Sequence, residues 1–216
     1  MLICEQLVIV FILLYQGTAI PAELTQPFTD IRPVARMSGN TDFLGLPAIA
    51  GFSSADFASQ HGKTWLRFPA GMERYDIVSL RKVYNLFQSL PPHLAMYSSM
   101  ITEGYSTHGV QKVAAESTAY PDRENNLLLS PFIVYEPDPT VDEEAGRLGS
   151  LMQSTLAEGS KKELCAYVNY AYGGEGEEAW YGRAQWRLER LRKLKKLWDP
   201  NNRFGWYCPI GHDGQK

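Results

Sequence analysis

The sequence predicts an α+β fold in which a largely antiparallel sheet is covered by helices on one face. The chain has 216 residues, of which 44% are hydrophobic and 21% charged, so it can bury a core without disulfides or metal. Strand-like apolar runs are interrupted irregularly by amphipathic helical stretches, which favours an antiparallel sheet over a strictly alternating parallel fold. Because no repeat or low-complexity linker divides the chain, a single domain over residues 1–216 is expected.

Several stretches have the apolar, β-branched or aromatic composition of a strand. The strongest is Leu127–Tyr135. Pro131 within it predicts an edge strand or a bulge, because proline cannot donate a backbone hydrogen bond. Weaker strands are predicted at residues 64–68, 95–101, 110–114 and 164–170.

The beginning of the chain allows two interpretations. Leu7 to Leu14 is an apolar run followed by small residues, as in a secretory signal peptide, but the first basic residue is Arg32 and Glu5 stands where positive charge belongs. The run is also too short to span a bilayer. A buried strand is favoured, with Pro21 opening a helix after it. The chain is then expected to begin in mid-fold, in the cytoplasm and away from any membrane.

Three helices are predicted from apolar residues at helical spacing. Asp76 is placed to cap the first helix, which must end before Pro91. Thr140 starts a capping-box sequence for the second, and Gly159 is expected to end it. The third runs from about residue 184 to 198. The expected buried faces are Leu80, Val83, Tyr84 and Phe87; Val141, Ala145, Leu148, Met152 and Leu156; and Leu188, Leu191, Leu194 and Trp198.

Charge and motif content argue against several function classes. Net charge is −3, and the basic residues of the last helix are interpreted as the solvated side of a packed helix, so no nucleic-acid partner is expected. The glycine-rich stretch Gly173–Gly176 lacks the Lys and Ser/Thr of a phosphate-binding loop, and its neighbouring glutamates would repel phosphate. Three cysteines and four histidines are scattered singly, so neither a disulfide framework nor a metal site is expected.

The most specific pattern lies in the last quarter of the chain. Residues 166–171 read Ala-Tyr-Val-Asn-Tyr-Ala, a Tyr-Gly pair follows at 181–182, and Asp-Pro-Asn-Asn-Arg-Phe stands at 199–204, after a helix with Arg-Leu and Leu-Lys pairs. In this order and spacing the pieces resemble the C-terminal segment of berberine-bridge-enzyme-like FAD-linked oxidoreductases. Weaker likeness to the substrate-binding domain of fungal members continues upstream, at residues 15–17, 67–69 and 117–123.

The resemblance implies oxidation or oxidative cyclisation of a small secondary metabolite, with FAD accepting hydride. The family's FAD-binding domain is not recognisable in this sequence, so a truncated, substrate-binding part is expected. Because hydride transfer belongs to the cofactor, FAD would have to be held by upstream sequence or by a separate flavin-domain polypeptide. The alternative is a flavin-free binding or cyclisation protein, or an inactive remnant.

The candidate site residues follow from the resemblance and from the strand predicted at 164–170. In a strand, Tyr167 and Asn169 would share one face and could offer a phenol and an amide to a ligand. Tyr167 and Glu103 are the candidate catalytic residues. The candidate cofactor-binding residues are Asn169, Tyr170 and Asn202.

Many members of this family carry a general base on the strand that corresponds to residues 127–131 here. Here that stretch reads Leu-Leu-Leu-Ser-Pro, and none of these side chains is a competent base at neutral pH. The remaining candidates for a base are Glu103, Tyr105, Tyr135 and Tyr167.

Overall fold

The computed structural model describes residues 2–3, 6–49 and 62–211. The described residues fall into two compact units, one drawn from 1–7 and 63–216 and the other from 8–62. The strands are β1 (Leu2–Ile3), β2 (Gln6–Leu7), β3 (Thr64–Arg67), β4 (Ala70–Met72), β5 (Ser99–Gly104) and β6 (Leu127–Tyr135). The helices are α1 (Ala22–Asp30), α2 (Leu46–Ile49), α3 (Ile77–Gln88), α4 (Pro92–Ala95), α5 (His108–Gln111), α6 (Asp142–Ser160), α7 (Glu177–Tyr181) and α8 (Gln185–Trp198). None of the described helices is long and apolar enough to cross a lipid bilayer.

The larger unit is built on an antiparallel sheet whose central strand is β6. Strand β5 pairs along one edge of β6, and β3 and β4 pair in succession along the other. Strands β1 and β2 form a separate short antiparallel pair. The predicted α+β class with an antiparallel sheet is therefore confirmed.

Pro131 lies in the middle of the central strand, so the predicted edge or bulge is wrong. Its carbonyl accepts from the backbone N–H of Phe68 at 2.9 Å. In a hydrogen-bonded antiparallel pair, the N–H and C=O of one residue point to the same neighbour. The missing N–H of Pro131 therefore faces the junction at 68–69 between β3 and β4, where the ladder is already interrupted. Proline costs one hydrogen bond there.

Helices α3 and α6 cover one face of the sheet. The Asp76 carboxylate accepts from the Ser79 N–H at 2.7 Å, which confirms the predicted cap of α3. Thr140 does not cap α6, contrary to the prediction, because its N–H and hydroxyl both donate to Asp138, at 2.9 and 2.7 Å. Helix α6 continues past Gly159 to Ser160, and Lys161 takes the left-handed position with φ 55°.

The core lies between this helix layer and the sheet. The predicted faces of α3 and α6 are confirmed, with Val83, Met152 and Leu156 fully buried. The helix α6 approaches the sheet closely at Gly149, where a Cβ would stand 2.0 Å from the ring of Phe68. A larger residue at this position would force the helix away from the sheet.

Helix α8 has the predicted extent, but only the first half of its predicted apolar face is buried. Leu188 is buried in the helix's first turns, whereas Leu194 and Trp198 are exposed at its other end. The apolar stripe therefore faces the core in the first half of the helix and solvent in the second. A second, smaller core beside it contains Ala166, Ala171, Ala179, Trp180 and Cys208.

Three predicted strands differ from the structure. Residues 110–114 form the end of α5 and a turn, and residues 95–98 precede β5. Residues 164–167 are irregular and lead into a single 3₁₀ turn, Val168–Tyr170. These short apolar segments fit a strand by composition, but a strand also requires a hydrogen-bonded neighbour, which local sequence does not reveal.

The smaller unit, residues 8–62, contains α1 and α2. The strand predicted at 7–14 is wrong, because β2 ends at Leu7 and the side chains from Ile9 to Leu14 are exposed. The helix after Pro21 is confirmed as α1. Within this unit the rings of Phe11 and Phe28 lie 5.3 Å apart.

Candidate active site

The face of the sheet opposite α3 and α6 carries the candidate site. Register places Arg67 beside Phe132, and Glu103 beside Leu128. Paired residues point to the same face of a sheet, and alternate residues of a strand share a face. Arg67, Glu103 and Phe132 therefore project together, with Trp65 stacked on Phe132 at a centroid distance of 5.6 Å.

The segment before α7 is anchored to this sheet by its backbone. The Gly71 N–H donates to the Cys165 carbonyl at 2.9 Å, and the Ala166 N–H donates to the Ala179 carbonyl at 2.9 Å. The Tyr207 hydroxyl donates to the carbonyls of Val168 and Ala171, at 2.7 and 2.8 Å. These contacts hold the 3₁₀ turn in place without any strand pairing.

Tyr170 extends from this turn across the sheet. Its ring lies under the guanidinium of Arg67, with Cζ 3.6 Å from the ring centroid. Its hydroxyl donates to Glu103 Oε1 at 3.1 Å. Because Arg67 flanks residue 132 and Glu103 flanks residue 128 of β6, Tyr170 crosses above Ser130. That position accounts for a Ser130 side chain that is 1% exposed and whose Oγ has no hydrogen-bond partner.

Two phenol hydroxyls donate hydrogen bonds to the Glu103 carboxylate. The Tyr170 hydroxyl donates to one carboxylate oxygen and the Tyr105 hydroxyl to the other. Burial raises the pKa of the Tyr170 phenol, and the negative charge of Glu103 raises it further, while the positive charge of Arg67 opposes both. A hydrogen-bonded phenol and carboxylate can pass a proton between them, so this pair can serve as an acid–base couple.

Tyr167 and Asn169 are brought together, although the predicted strand is absent. The Asn169 amide donates to the Tyr167 hydroxyl at 2.8 Å, and the Tyr167 ring meets the Tyr170 ring edge-on at 5.4 Å. The 3₁₀ turn, with its i to i+3 geometry, thus brings Tyr167 together with Tyr170, which a strand would have placed on the opposite face. We call Glu103, Tyr105, Tyr167, Asn169 and Tyr170 the tyrosine cluster.

The remaining candidates lie on other elements. Asn202 stands in the turn after α8 with φ 49°, and its side chain lies over the Cα of Gly205. Tyr135 projects to the helix-covered face, where its hydroxyl donates to Asp142 at 2.6 Å. Burial and the Asp142 hydrogen bond raise the Tyr135 pKa, so this residue supports packing and is not a base in the site.

Sequence reasoning did not assign a role to Arg67, Trp65, Phe132 or Ser130. Alternation along β3 and β6 could have placed each pair on one face. The relative register of the two strands, which brings Arg67 beside Phe132, has no signal in a single sequence.

The chain is similar to known proteins in sequence and in fold. The family profile described as berberine and berberine like matches residues 166–211, which include the 3₁₀ turn, α7 and α8. The FAD-linked oxidoreductase anuG of Penicillium roqueforti is 39% identical over 188 residues, covering 85% of this chain and 37% of the relative. The FAD-linked oxidoreductase chyH of Penicillium rubens is 34% identical over 209 residues, covering 94% and 42%.

The chain belongs to the berberine-bridge-enzyme-like family. It spans about two fifths of the length of the curated relatives it matches. The solved carbohydrate oxidase of Microdochium nivale has the same fold over 88% of this chain and 42% of its own, with a TM-score of 0.60 and 18% identity. CrmK, a flavoenzyme of caerulomycin biosynthesis, covers 66% of this chain and 31% of its own, with a TM-score of 0.51 and 22% identity.

The described residues of this berberine-bridge-enzyme-like chain fit one part of FAD better than another. Trp65 stacks on Phe132 and the Arg67 guanidinium stacks on Tyr170, and aromatic and guanidinium groups of this kind suit a planar ring. The glycine-rich loop at 173–176 does not suit a pyrophosphate. The backbone N–H groups of Tyr172 and Gly173, at the start of this loop, already donate to the Glu175 carboxylate, at 2.7 and 2.8 Å.

An exposed apolar strip follows the family segment's last helix. Trp198, Phe204 and Trp206 are 79%, 82% and 93% exposed. The turn that presents them is fixed by Asp199, whose carboxylate accepts from Lys195 and from the N–H groups of Arg203 and Phe204. The Lys195 hydrogen bond is the main cause that lowers the pKa of Asp199 to about 2. Large aromatic side chains held in solvent by an ordered turn are typical of an interface.

Proposed function

We propose that this chain is the substrate-binding part of an FAD-linked oxidoreductase that oxidises a small secondary metabolite. The observation that carries the proposal is the Tyr170–Glu103 hydrogen bond on an aromatic sheet face, in a chain of the berberine-bridge-enzyme-like family. FAD, when bound, accepts the hydride that the substrate loses.

The tyrosine cluster takes the proton that must leave with that hydride. The substrate's proton passes to Tyr170 Oη, while the proton on Tyr170 passes to Glu103 Oε1, at 3.1 Å. The guanidinium of Arg67 lies against the same ring and stabilises negative charge that develops on the phenol. Tyr105 steadies Glu103 through its other oxygen.

Tyr167 and Asn169 would help to hold the substrate and the flavin. The Asn169 amide donates to the Tyr167 oxygen, so the Tyr167 proton is directed towards another acceptor, and we assign that acceptor to the ligand. This assignment places Tyr167 beside the acid–base pair as a binding residue. It gives the proton transfer itself to Tyr170 and Glu103.

The flavin is held by a flavin-binding domain that packs on the exposed strip at Trp198, Phe204 and Trp206. The chain accounts for 42% of the length of its relative from Penicillium rubens, and these relatives are named FAD-linked. The occupant of the strip is therefore taken to be the flavin-binding part, supplied by upstream sequence or by a separate polypeptide. The strip's aromatic side chains are buried in that interface.

Flavin retention tests the proposal directly. The purified chain is mixed with FAD and passed through gel filtration, alone and with the part of the Penicillium rubens relative that this chain does not match. We expect flavin absorbance to elute with the pair and not with the chain alone. Trp198→Glu should abolish co-elution, whereas Ile77→Glu, at an exposed position on α3, should not. Flavin retained equally by the isolated chain would contradict the division of roles.

Deletion of the gene separates the remaining alternatives. An oxidoreductase lost from its pathway should leave the reduced metabolite to accumulate, which also supplies the substrate for assays. An unchanged metabolite profile would indicate an inactive remnant. A changed profile with no flavin partner recovered by co-purification would indicate a flavin-free binding protein.

A further inference from the structure

We infer that Arg67 is an anion-recognition residue, and that the substrate is a planar molecule bearing a carboxylate or another ionised oxygen. This inference rests on the proposed function, because it names the substrate class of the same site. The described contacts of Arg67 are with the rings of Tyr170 and Phe132 and with the Tyr170 hydroxyl, and none is with a carboxylate.

Stacking uses the face of the guanidinium and leaves most of its edge available. The Arg67 Cζ lies 3.6 Å from the Tyr170 centroid, which is possible only when the planar group lies over the ring. The N–H donors of arginine lie in the guanidinium plane and form a fork that matches a carboxylate. The ring therefore fixes the orientation of the fork and lowers the entropy that a ligand must overcome.

Arg67 makes no direct ion pair with a carboxylate among the described residues. The nearby acid on this face of the described sheet is Glu103, and the Tyr170 phenol lies between it and Arg67, while both Glu103 oxygens accept hydrogen bonds from phenols. The other described basic residues close to the sheet are paired differently, as with Lys63, which binds Glu136. A half-buried guanidinium whose N–H edge holds no carboxylate directly favours a ligand that brings a negative charge.

The surrounding groups favour a flat ligand. Trp65 and Phe132 stack with an interplanar angle of 28°, and Phe132 lies 5.8 Å from the Arg67 Cζ. Beneath Tyr170, the unpartnered hydroxyl of Ser130 adds one polar group to this apolar floor.

A matched pair of probes tests the inference on the full chain without flavin. Naphthoate carries the planar ring and the carboxylate, and naphthamide has the same shape without the charge. By titration calorimetry we expect saturable binding of naphthoate and binding of naphthamide weaker by about tenfold or more, the usual size of a charge-assisted pair. Arg67→Gln should weaken naphthoate by about the same factor and leave naphthamide unchanged.

Two further variants control for folding and for general charge. Arg67→Lys keeps the charge but not the fork, and should give an affinity between wild type and Arg67→Gln. Arg81→Gln removes an exposed arginine that stacks on Tyr84 in α3, and should bind naphthoate as the wild type does. Thermal unfolding reports whether each variant is folded, and the comparison of the two probes on the wild-type chain needs no variant at all.

Equal affinity for the two probes would overturn the inference, as would the absence of saturable naphthoate binding or its persistence in Arg67→Gln. The assay contains no flavin and measures no turnover. A failure here therefore counts against Arg67 alone, whereas a failure of the flavin-retention experiment counts against the proposed function.

Discussion

Two tyrosines on opposite faces of one sheet each donate a phenol proton to a carboxylate. Tyr135, at the end of β6, is 2% exposed and donates to Asp142 at the start of α6 at 2.6 Å. Tyr170, from a 3₁₀ turn, donates to Glu103 of β5 at 3.1 Å, with Arg67 on its ring. The chemistry is the same, but the Tyr135 phenol is buried under the helix layer, with its partner Asp142 exposed at the start of α6, whereas the Tyr170 pair lies on the face that α3 and α6 leave uncovered.

The difference shows how burial assigns a role to a hydrogen bond. A buried phenol such as that of Tyr135 ties two elements together, and burial raises its pKa. A half-buried pair beside a cation keeps its proton available to a ligand. The helix-covered face therefore carries stability, and the opposite face carries the proposed chemistry.

The largest effect that tests this contrast is expected at two consecutive residues of β6. Leu129→Ala removes a side chain that is 0% exposed in the helix-covered core, and should lower the free energy of unfolding by about 2–5 kcal/mol. Ser130→Ala, on the other face, removes a buried hydroxyl without a partner, and should be neutral or stabilising. Urea unfolding measures both. Comparable losses would indicate that the two faces contribute alike.

Turnover should depend on the open face. In an enzyme reconstituted with flavin, Tyr170→Phe and Glu103→Gln should each lower kcat by about a hundredfold, because either change breaks the proton path. Tyr105→Phe, which removes the other phenol on Glu103, should cost much less. The metabolite that accumulates on gene deletion serves as substrate. Full activity of Tyr170→Phe would exclude the phenol as the proton acceptor.

Removal of the two phenol hydroxyls should affect stability unequally. Tyr135→Phe leaves Asp142 without its buried donor and should cost about 1.5 kcal/mol. Tyr170→Phe should cost less, because the Tyr170 phenol is less deeply buried and Glu103 keeps Tyr105 as a second donor. Thermal melts of the two variants, with Tyr75→Phe at an exposed position as control, give the ranking. A greater loss for Tyr170→Phe would reverse the assignment of the structural pair.

The smallest effect is expected in alkaline solution. The pKa values of Tyr135 and Tyr170 are raised above the ordinary 10.0, and burial raises those of Tyr181 and Tyr207 to about 12. Because the unfolded chain loses these protons first, the stabilisation is complete below pH 10.0 and declines as the pH rises towards the folded-state values. Unfolding measured across this range should show the decline. Tyr135→Phe should reduce the size of this loss of stability more than Tyr170→Phe does.

Much of the scaffold was predictable because its signals are local. A continuous apolar run marks β6, and Asp76 with a helical apolar stripe marks α3, since caps and amphipathic faces depend on neighbours within a few residues. The short apolar run at 110–114 was misread as a strand because composition alone does not supply a pairing partner. The capping box predicted at Thr140 does not form, since Asp138 accepts the Thr140 N–H that Glu143 would have accepted, together with the Thr140 hydroxyl.

The sequence by itself determined the family, the sheet-and-helix class and the concentration of candidate site residues around Tyr167 to Tyr170. Only the tertiary structure decided which of these residues meet. Strand register, which a single sequence does not encode locally, sets Arg67 and Glu103 on one face. The Tyr207 hydroxyl, far along the chain, donates to the Ala171 carbonyl and helps to hold Tyr170 between them. The acid–base pair exists because of contacts between residues 67 positions apart, and such contacts arise from packing and not from local preference.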